Sequence, residues 1–178
     1  AAAQADASTY FRDVLLVDGT GSLPRRADVT VVGEHVTAIL PPGGSVPDGA
    51  RLVPGEGRVL APGFIDTHTH GDPLEQSYDA FLAMGVTTIL LGVDGSGPRI
   101  GDDLDLRTWL SAADRAALPL NVAALASHGT LRRAAGIPDA VREPDDAALA
   151  RMAAQLDREL TAGAFGISYG LEYVPGIY

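Results

Sequence analysis

From Pro62 onward the chain alternates between apolar runs too continuous for half-exposed strands and segments with helical spacing. The predicted strands are Phe64 to Asp66, Val86 to Leu91, 121–126 and 165–168. Between them, Leu74, Tyr78, Phe81 and Leu82 share one helical face ending at Gly85. Leu106, Trp109, Leu110 and Ala113 mark a second helix, stopped by Pro119. A third opens at Pro144-Asp145-Asp146, with Pro and acid in its first turn, carries Leu149, Met152, Leu156 and Leu160, and ends at Gly163. Strands apolar on both faces and separated by helices belong to a parallel sheet with right-handed crossovers. Four such units fit either half of a (β/α)8 barrel or a small open sheet.

Before Pro62 the rhythm is different. Residues 14–17 form a short β run closed by Asp18-Gly19. Two further β-branched runs, 28–32 and 35–39, flank Gly33-Glu34 and predict a hairpin. Pro41-Pro42-Gly43-Gly44 interrupts the pattern and Arg58-Val59-Leu60 resumes it. The expected organisation is an unstructured N-terminus over 1–9, a small antiparallel β subdomain over 10–61, and four β/α units over 62–178.

The strongest chemical signal stands at the first of those units, in Ala61-Pro62-Gly63-Phe64-Ile65-Asp66-Thr67-His68-Thr69-His70. Residues two apart in a strand point the same way, so His68 and His70 present both imidazoles on one side. Neutral imidazole is a good ligand for zinc and similar divalent metals. The carboxyl end of a barrel strand is where such enzymes do their chemistry. Asp66 is a candidate carboxylate behind the ligands, or an ordinary strand-end acid. His128 ends the third strand, facing the barrel mouth as scaffold or ligand. Arg132 and Arg133 follow it, as a solvated helix start or as a carboxylate reader.

Composition removes several alternatives. There is no cysteine, so disulfides, thiolate chemistry and Cys-based zinc sites are excluded. Thirteen basic against 23 acidic residues give a net charge of −10, which argues against nucleic acid and anionic membrane surfaces as partners. No apolar run approaches the roughly 18 residues a membrane span needs. The expectation is a soluble protein, cytoplasmic or exported after signal removal, since a start at Ala1 fits either.

The string APGFIDTHTH, following a β subdomain that opens with VDGTG, resembles the amidohydrolase superfamily. GVTTILLGVDG (85–95), SHGTLR (127–132) and GAFGISYGLEYVPGIY (163–178) resemble its N-acyl-D-amino-acid deacylase, or D-aminoacylase, branch. The resemblance runs from about Val14 to the last residue. It implies an α/β fold: the first half of a metal-dependent (β/α)8 barrel, or TIM barrel, with residues 10–61 forming the N-terminal part of a β-sandwich subdomain. It implies deacylation of a small N-acylated D-amino acid, or cleavage of a similar linear amide, through metal-activated water, with zinc or another divalent metal, one or two ions. The family's metal pair on strand 1 maps onto His68 and His70.

The family also places a cysteine ligand after strand 2, where this chain has Asp94 in Gly92-Val93-Asp94-Gly95. Asp94 is therefore a candidate ligand, and Asp-Gly is equally an ordinary turn pair. Related amidohydrolases take a bridging carboxylate, or a carboxylated lysine, from beyond strand 4. The chain contains no lysine, so Glu172 is the preferred bridging candidate. Tyr173 beside it is a candidate pocket residue. No catalytic residue is assigned, because the general-base aspartate of strand 8 and the later histidines have no counterpart in the sequence.

A complete barrel takes about 250 residues, and fewer than half of those lie beyond Pro62. The C-terminal half is thus expected from a second chain or a longer polypeptide, with activity only in its presence. The contrasting expectation is a non-catalytic half-barrel fragment that binds metal or a partner chain.

Overall fold

A computed structural model describes residues 7–100 and 103–175; the first six residues of the N-terminus expected to be unstructured, and the last three of the 163–178 segment, lie outside the described residues. The chain divides into two compact units, Ala1–Pro62 and Gly63–Tyr178.

The first unit is a five-stranded sheet of β1 (Ser8–Leu16), β2 (Arg25–Val32), β3 (His35–Leu40), β4 (Arg51–Pro54) and β5 (Val59–Leu60). Strand β1 begins inside the stretch expected to be unstructured, because Ser8 and Thr9 pair with Val32 and Val31. The sheet is mixed, where an antiparallel one was expected. β1–β2 and β2–β3 are antiparallel, whereas β4 and β5 run parallel to β1 on its other edge. The Pro-Pro-Gly-Gly segment explains the difference, since it carries the chain away from β3 to the far side of β1. Asp28 fixes that passage: its buried carboxylate accepts from Tyr10 Oη at 2.7 Å, Asp13 N at 2.7 Å, Gly43 N at 2.9 Å and Gly44 N at 2.8 Å. Val14, Leu16, Ala27 and Val29 form the small core.

The second unit contains β6 (Phe64–Asp66), α1 (Asp79–Ala83), β7 (Val86–Leu91), α2 (Leu106–Ala116), β8 (Asn121–Ala124), β9 (Ala126–Ser127), α3 (His128–Ala134), α4 (Asp146–Ala162) and β10 (Ile167–Ser168). Strands β6, β7 and β8 are parallel neighbours in that order, and β9 pairs in parallel with β10. β8 and β9 are one extended run. Leu125 N donates to Leu91 O, while Ala126 N donates to Gly166 O and Phe165 N to Ala124 O, each at 2.9 Å. The four strand positions therefore lie side by side in sequence order, as in the first half of a (β/α)8 barrel. The core is built on β7 and α2, with Ile89, Leu91, Leu106 and Trp109 all buried. Each such side chain contributes roughly 1.5–3 kcal/mol by leaving water.

The helices depart from expectation in three places. Helix α1 is only five residues long, and Leu74 lies in the preceding turn, where its N–H donates to Asp72 Oδ1 at 2.8 Å. Helix α3 starts directly at His128 and buries Arg132, whose Nη2 donates to Val141 O at 2.5 Å. That replaces the expected solvated arginine: its guanidinium satisfies a carbonyl of the following loop. In α4, capped by Asp145 accepting from Ala148 N at 2.7 Å, the buried residues are Ala148, Gln155 and Glu159. Leu149 and Leu160 of the expected apolar stripe are exposed, so the covered face lies one position round the helix. Among the described residues no helix is long and apolar enough to cross a membrane.

Candidate metal centre

Strand β6 ends at Asp66, whose Oδ1 accepts from His68 N at 3.0 Å and fixes the direction of the chain beyond it. Thr69 N donates to Leu90 O at 3.1 Å, so the segment continues beside β7. The chain bends at Thr67 and His68, and the two imidazoles come together with ring centroids 5.1 Å apart. The loop that follows is held from behind. Tyr78 Oη donates to His70 O at 2.7 Å, and Trp109 Nε1 donates to Asp72 Oδ2 at 2.8 Å.

Across from the histidines, β7 gives way to a tight turn through Gly92 (φ 82°) and Asp94 (φ 54°, ψ 30°). Left-handed backbone is unfavourable for a residue with a Cβ, although aspartate tolerates it better than most. Here it aims the carboxylate at the imidazoles. Asp94 Oδ2 lies 3.1 Å from His68 Nε2 and 3.3 Å from His70 Nε2, and the two Nε2 atoms are 3.3 Å apart. The three atoms form a nearly equilateral triangle. A tetrahedral ion with bonds of about 2.1 Å keeps its ligands roughly 3.4 Å from one another. Two imidazole nitrogens and one carboxylate oxygen at this spacing fit a divalent cation.

Glu172 is not part of this group. It is exposed, and the cluster of potential ligand atoms within 4.8 Å of one another comprises His68, His70 and Asp94. His128 and Tyr173 do meet the site: with His70, Asp94, Gly170 and Pro175 they line a cleft of about 310 Å³. The His128 ring lies 5.2 Å from that of Tyr169, and its Nδ1 is buried without a hydrogen-bond partner among the described residues. Burial, helped by the charge of Arg132, pushes the imidazole pKa below its usual value, which keeps it neutral at neutral pH. Arg133 is paired with Asp139 at 3.3 Å, away from the cleft.

Two residues escaped sequence reasoning. Ser127 and Ser168 are the last residues of β9 and β10, and both hydroxyls donate to the carbonyl of Gly92, which opens the Asp94 turn. The available signal was positional: each is a small hydroxyl residue at the carboxyl end of a strand.

No family model matches the chain. It is 36% identical to an N-acyl-D-aspartate deacylase of Alcaligenes xylosoxydans xylosoxydans, over 97% of this chain and 38% of that protein. Among solved structures it superposes on N-acyl-D-glutamate deacylase of Bordetella bronchiseptica, complexed with zinc and a phosphonate inhibitor, with a TM-score of 0.79 and 28% identity. A D-aminoacylase described as having a binuclear metal centre gives a TM-score of 0.79 and 31% identity. Each superposition covers 98% of this chain and 40% of the neighbour. The chain thus spans about two fifths of the length of these relatives.

Proposed function

We propose, for a chain homologous along its length to the N-terminal part of the N-acyl-D-amino-acid deacylases of the amidohydrolase superfamily, that it forms the metal-holding half of a hydrolase of small N-acylated D-amino acids. The convergence of His68, His70 and Asp94 carries this reading. A divalent ion such as zinc, when bound, supplies Lewis acidity toward the amide carbonyl and an activated water.

The chain's own residues do the rest of what can be derived. His68 and His70 offer imidazole nitrogens as ligands, and Asp94 offsets cationic charge with its carboxylate. Asp66 holds the strand end through the His68 N–H. His128 and Tyr173 line the same cleft as Asp94, so a substrate amide there would meet side chains able to hydrogen-bond it. Glu172 stands beside Tyr173 as the alternative carboxylate. The proton transfers to the leaving amine are assigned to groups from the remaining strands of a barrel.

The test combines metal and turnover. The purified chain should retain one equivalent or more of Zn²⁺ after dialysis, measured by mass spectrometry of the element, and His68→Ala with His70→Ala should remove it. In a polypeptide that also supplies the remaining barrel strands, N-acetyl-D-amino acids should release free amine and their L-enantiomers should not. Undiminished metal content in the double variant would sink the reading.

A further inference from the structure

We infer that Ser127 and Ser168 are positioning residues that set Asp94 at the metal centre; the inference rests on the proposed role of Asp94 as a ligand. Asp94 has a left-handed backbone, and neighbouring structure holds its turn. That structure is visible on both sides of it. At the entry to the turn, Gly92 O accepts the Ser127 hydroxyl at 2.7 Å and the Ser168 hydroxyl as well. At its exit, Gly95 N donates to Ser168 Oγ at 3.3 Å. One serine side chain therefore ties the two ends of the turn together, and a second, 1% exposed, braces its entry.

The backbone packing around the turn is equally close. A Cβ on Gly170 would lie 2.0 Å from Asp94 O, and one on Gly129 would lie 2.7 Å from Gly95 O. A Cβ on Gly92 would lie 2.5 Å from Leu125 O. The turn is thus pressed against the ends of the third and fourth strands by glycines that keep the approach open, and oriented there by two hydroxyls. Sliding it by a fraction of an ångström would change both Asp94–imidazole distances, while His68 and His70 are anchored independently through Asp66, Leu90 and Tyr78. Among the described residues the hydrogen bonds of Ser127 and Ser168 go to the turn and to Leu125 O rather than to either imidazole, so the two act on the centre through Asp94.

Groups behind metal ligands typically cost 10–100-fold in metal affinity when removed. The experiment uses the whole chain and Co²⁺ as the probe, reading the dissociation constant by titration and the visible d–d spectrum of the bound ion. Ser168→Ala, alone and with Ser127→Ala, should weaken Co²⁺ binding by about tenfold or more and change the intensity of the d–d bands. Ser168→Thr, which keeps the hydroxyl, should restore both. A change of less than twofold with an unaltered spectrum in the serine variants, while Asp94→Asn weakens binding strongly, overturns the inference and leaves the ligand role intact. If Asp94→Asn itself has no effect, the ligand role fails and the inference falls with it. Weakening by Ser168→Ala that Ser168→Thr does not relieve would show a packing effect and also overturn it.

Discussion

Replacing Trp109 with Phe should destabilise the Gly63–Tyr178 unit by about 2–3 kcal/mol, and most of the loss should depend on Asp72. Trp109 is fully buried, and its indole N–H donates to Asp72 Oδ2 at 2.8 Å. A hydrogen bond to a charged group is worth about 1.5–3 kcal/mol net, and partial exposure of Asp72 puts this one toward the lower end. The smaller phenyl ring forfeits roughly another 1 kcal/mol of apolar burial. In an Asp72→Ala background only that second loss remains, so the coupling between the two positions should be about 1.5 kcal/mol. The assay is urea unfolding of the two single variants and the double variant. It must be followed by far-UV circular dichroism, because Trp109 is the only tryptophan and its removal abolishes tryptophan fluorescence. Equal costs of Trp109→Phe in both backgrounds, within about 0.5 kcal/mol, would refute the claim that this bond secures the loop carrying His70.

Asp94→Asn should reduce bound zinc more than Glu172→Gln, as measured after dialysis against equal free metal; the reverse ranking would move the carboxylate ligand to Glu172. Glu159 is 2% exposed, and burial pushes its carboxyl pKa above the ordinary 4.5 against a hydrogen bond from Gln155. A raised carboxyl is fully accommodated below pH 4.5, and stability is lost as pH rises from there through the folded-state value. Glu159→Gln should therefore flatten the fall in thermal stability between mildly acidic and neutral pH, and an unchanged slope would contradict the assignment. Phe64 and Ile65 on the outer strand β6 are 62% and 66% exposed, and Phe165, just before β10, is 80% exposed; together they form an association template. Ile65→Ser with Phe165→Ser should lower self-association in sedimentation velocity, whereas an unaltered distribution would place the contact elsewhere.

What the sequence could convey depended on whether one side chain or several carried the information. Strand β7 was legible because Val86 to Leu91 is a β-branched and apolar run; the spacing of Leu106, Trp109, Leu110 and Ala113 marked α2, and Pro144-Asp145-Asp146 with Gly163 marked α4. Helix α3 was placed too late, at Arg132-Arg133, since His128 reads as the end of a strand rather than the start of a helix. The covered face of α4 was misread because Ala148, Gln155 and Glu159 lie at helical spacing without looking apolar. In the site, His68 and His70 followed from period-two geometry alone. Asp94 was legible only as a candidate ligand or a turn residue, because the same Asp-Gly pair that signals a turn also aims the carboxylate. Its distance to the imidazoles depends on how β6 and β7 pair, and no local pattern encodes that register.

The donor triangle has a consequence for redox chemistry. Its three atoms are nitrogen, nitrogen and oxygen, and the chain contains no cysteine. Peroxide, mercurials and maleimides act on cysteine ligands by oxidising, capturing or alkylating sulfur. None of them has such a target here. The oxidisable sulfur of the chain is confined to Met84, on the surface, and Met152, half-buried in α4. An oxidant strong enough to convert both to sulfoxides would leave the side chains of His68, His70 and Asp94 without a sulfur to lose, and the centre would pass between reducing and oxidising surroundings with the same three donors.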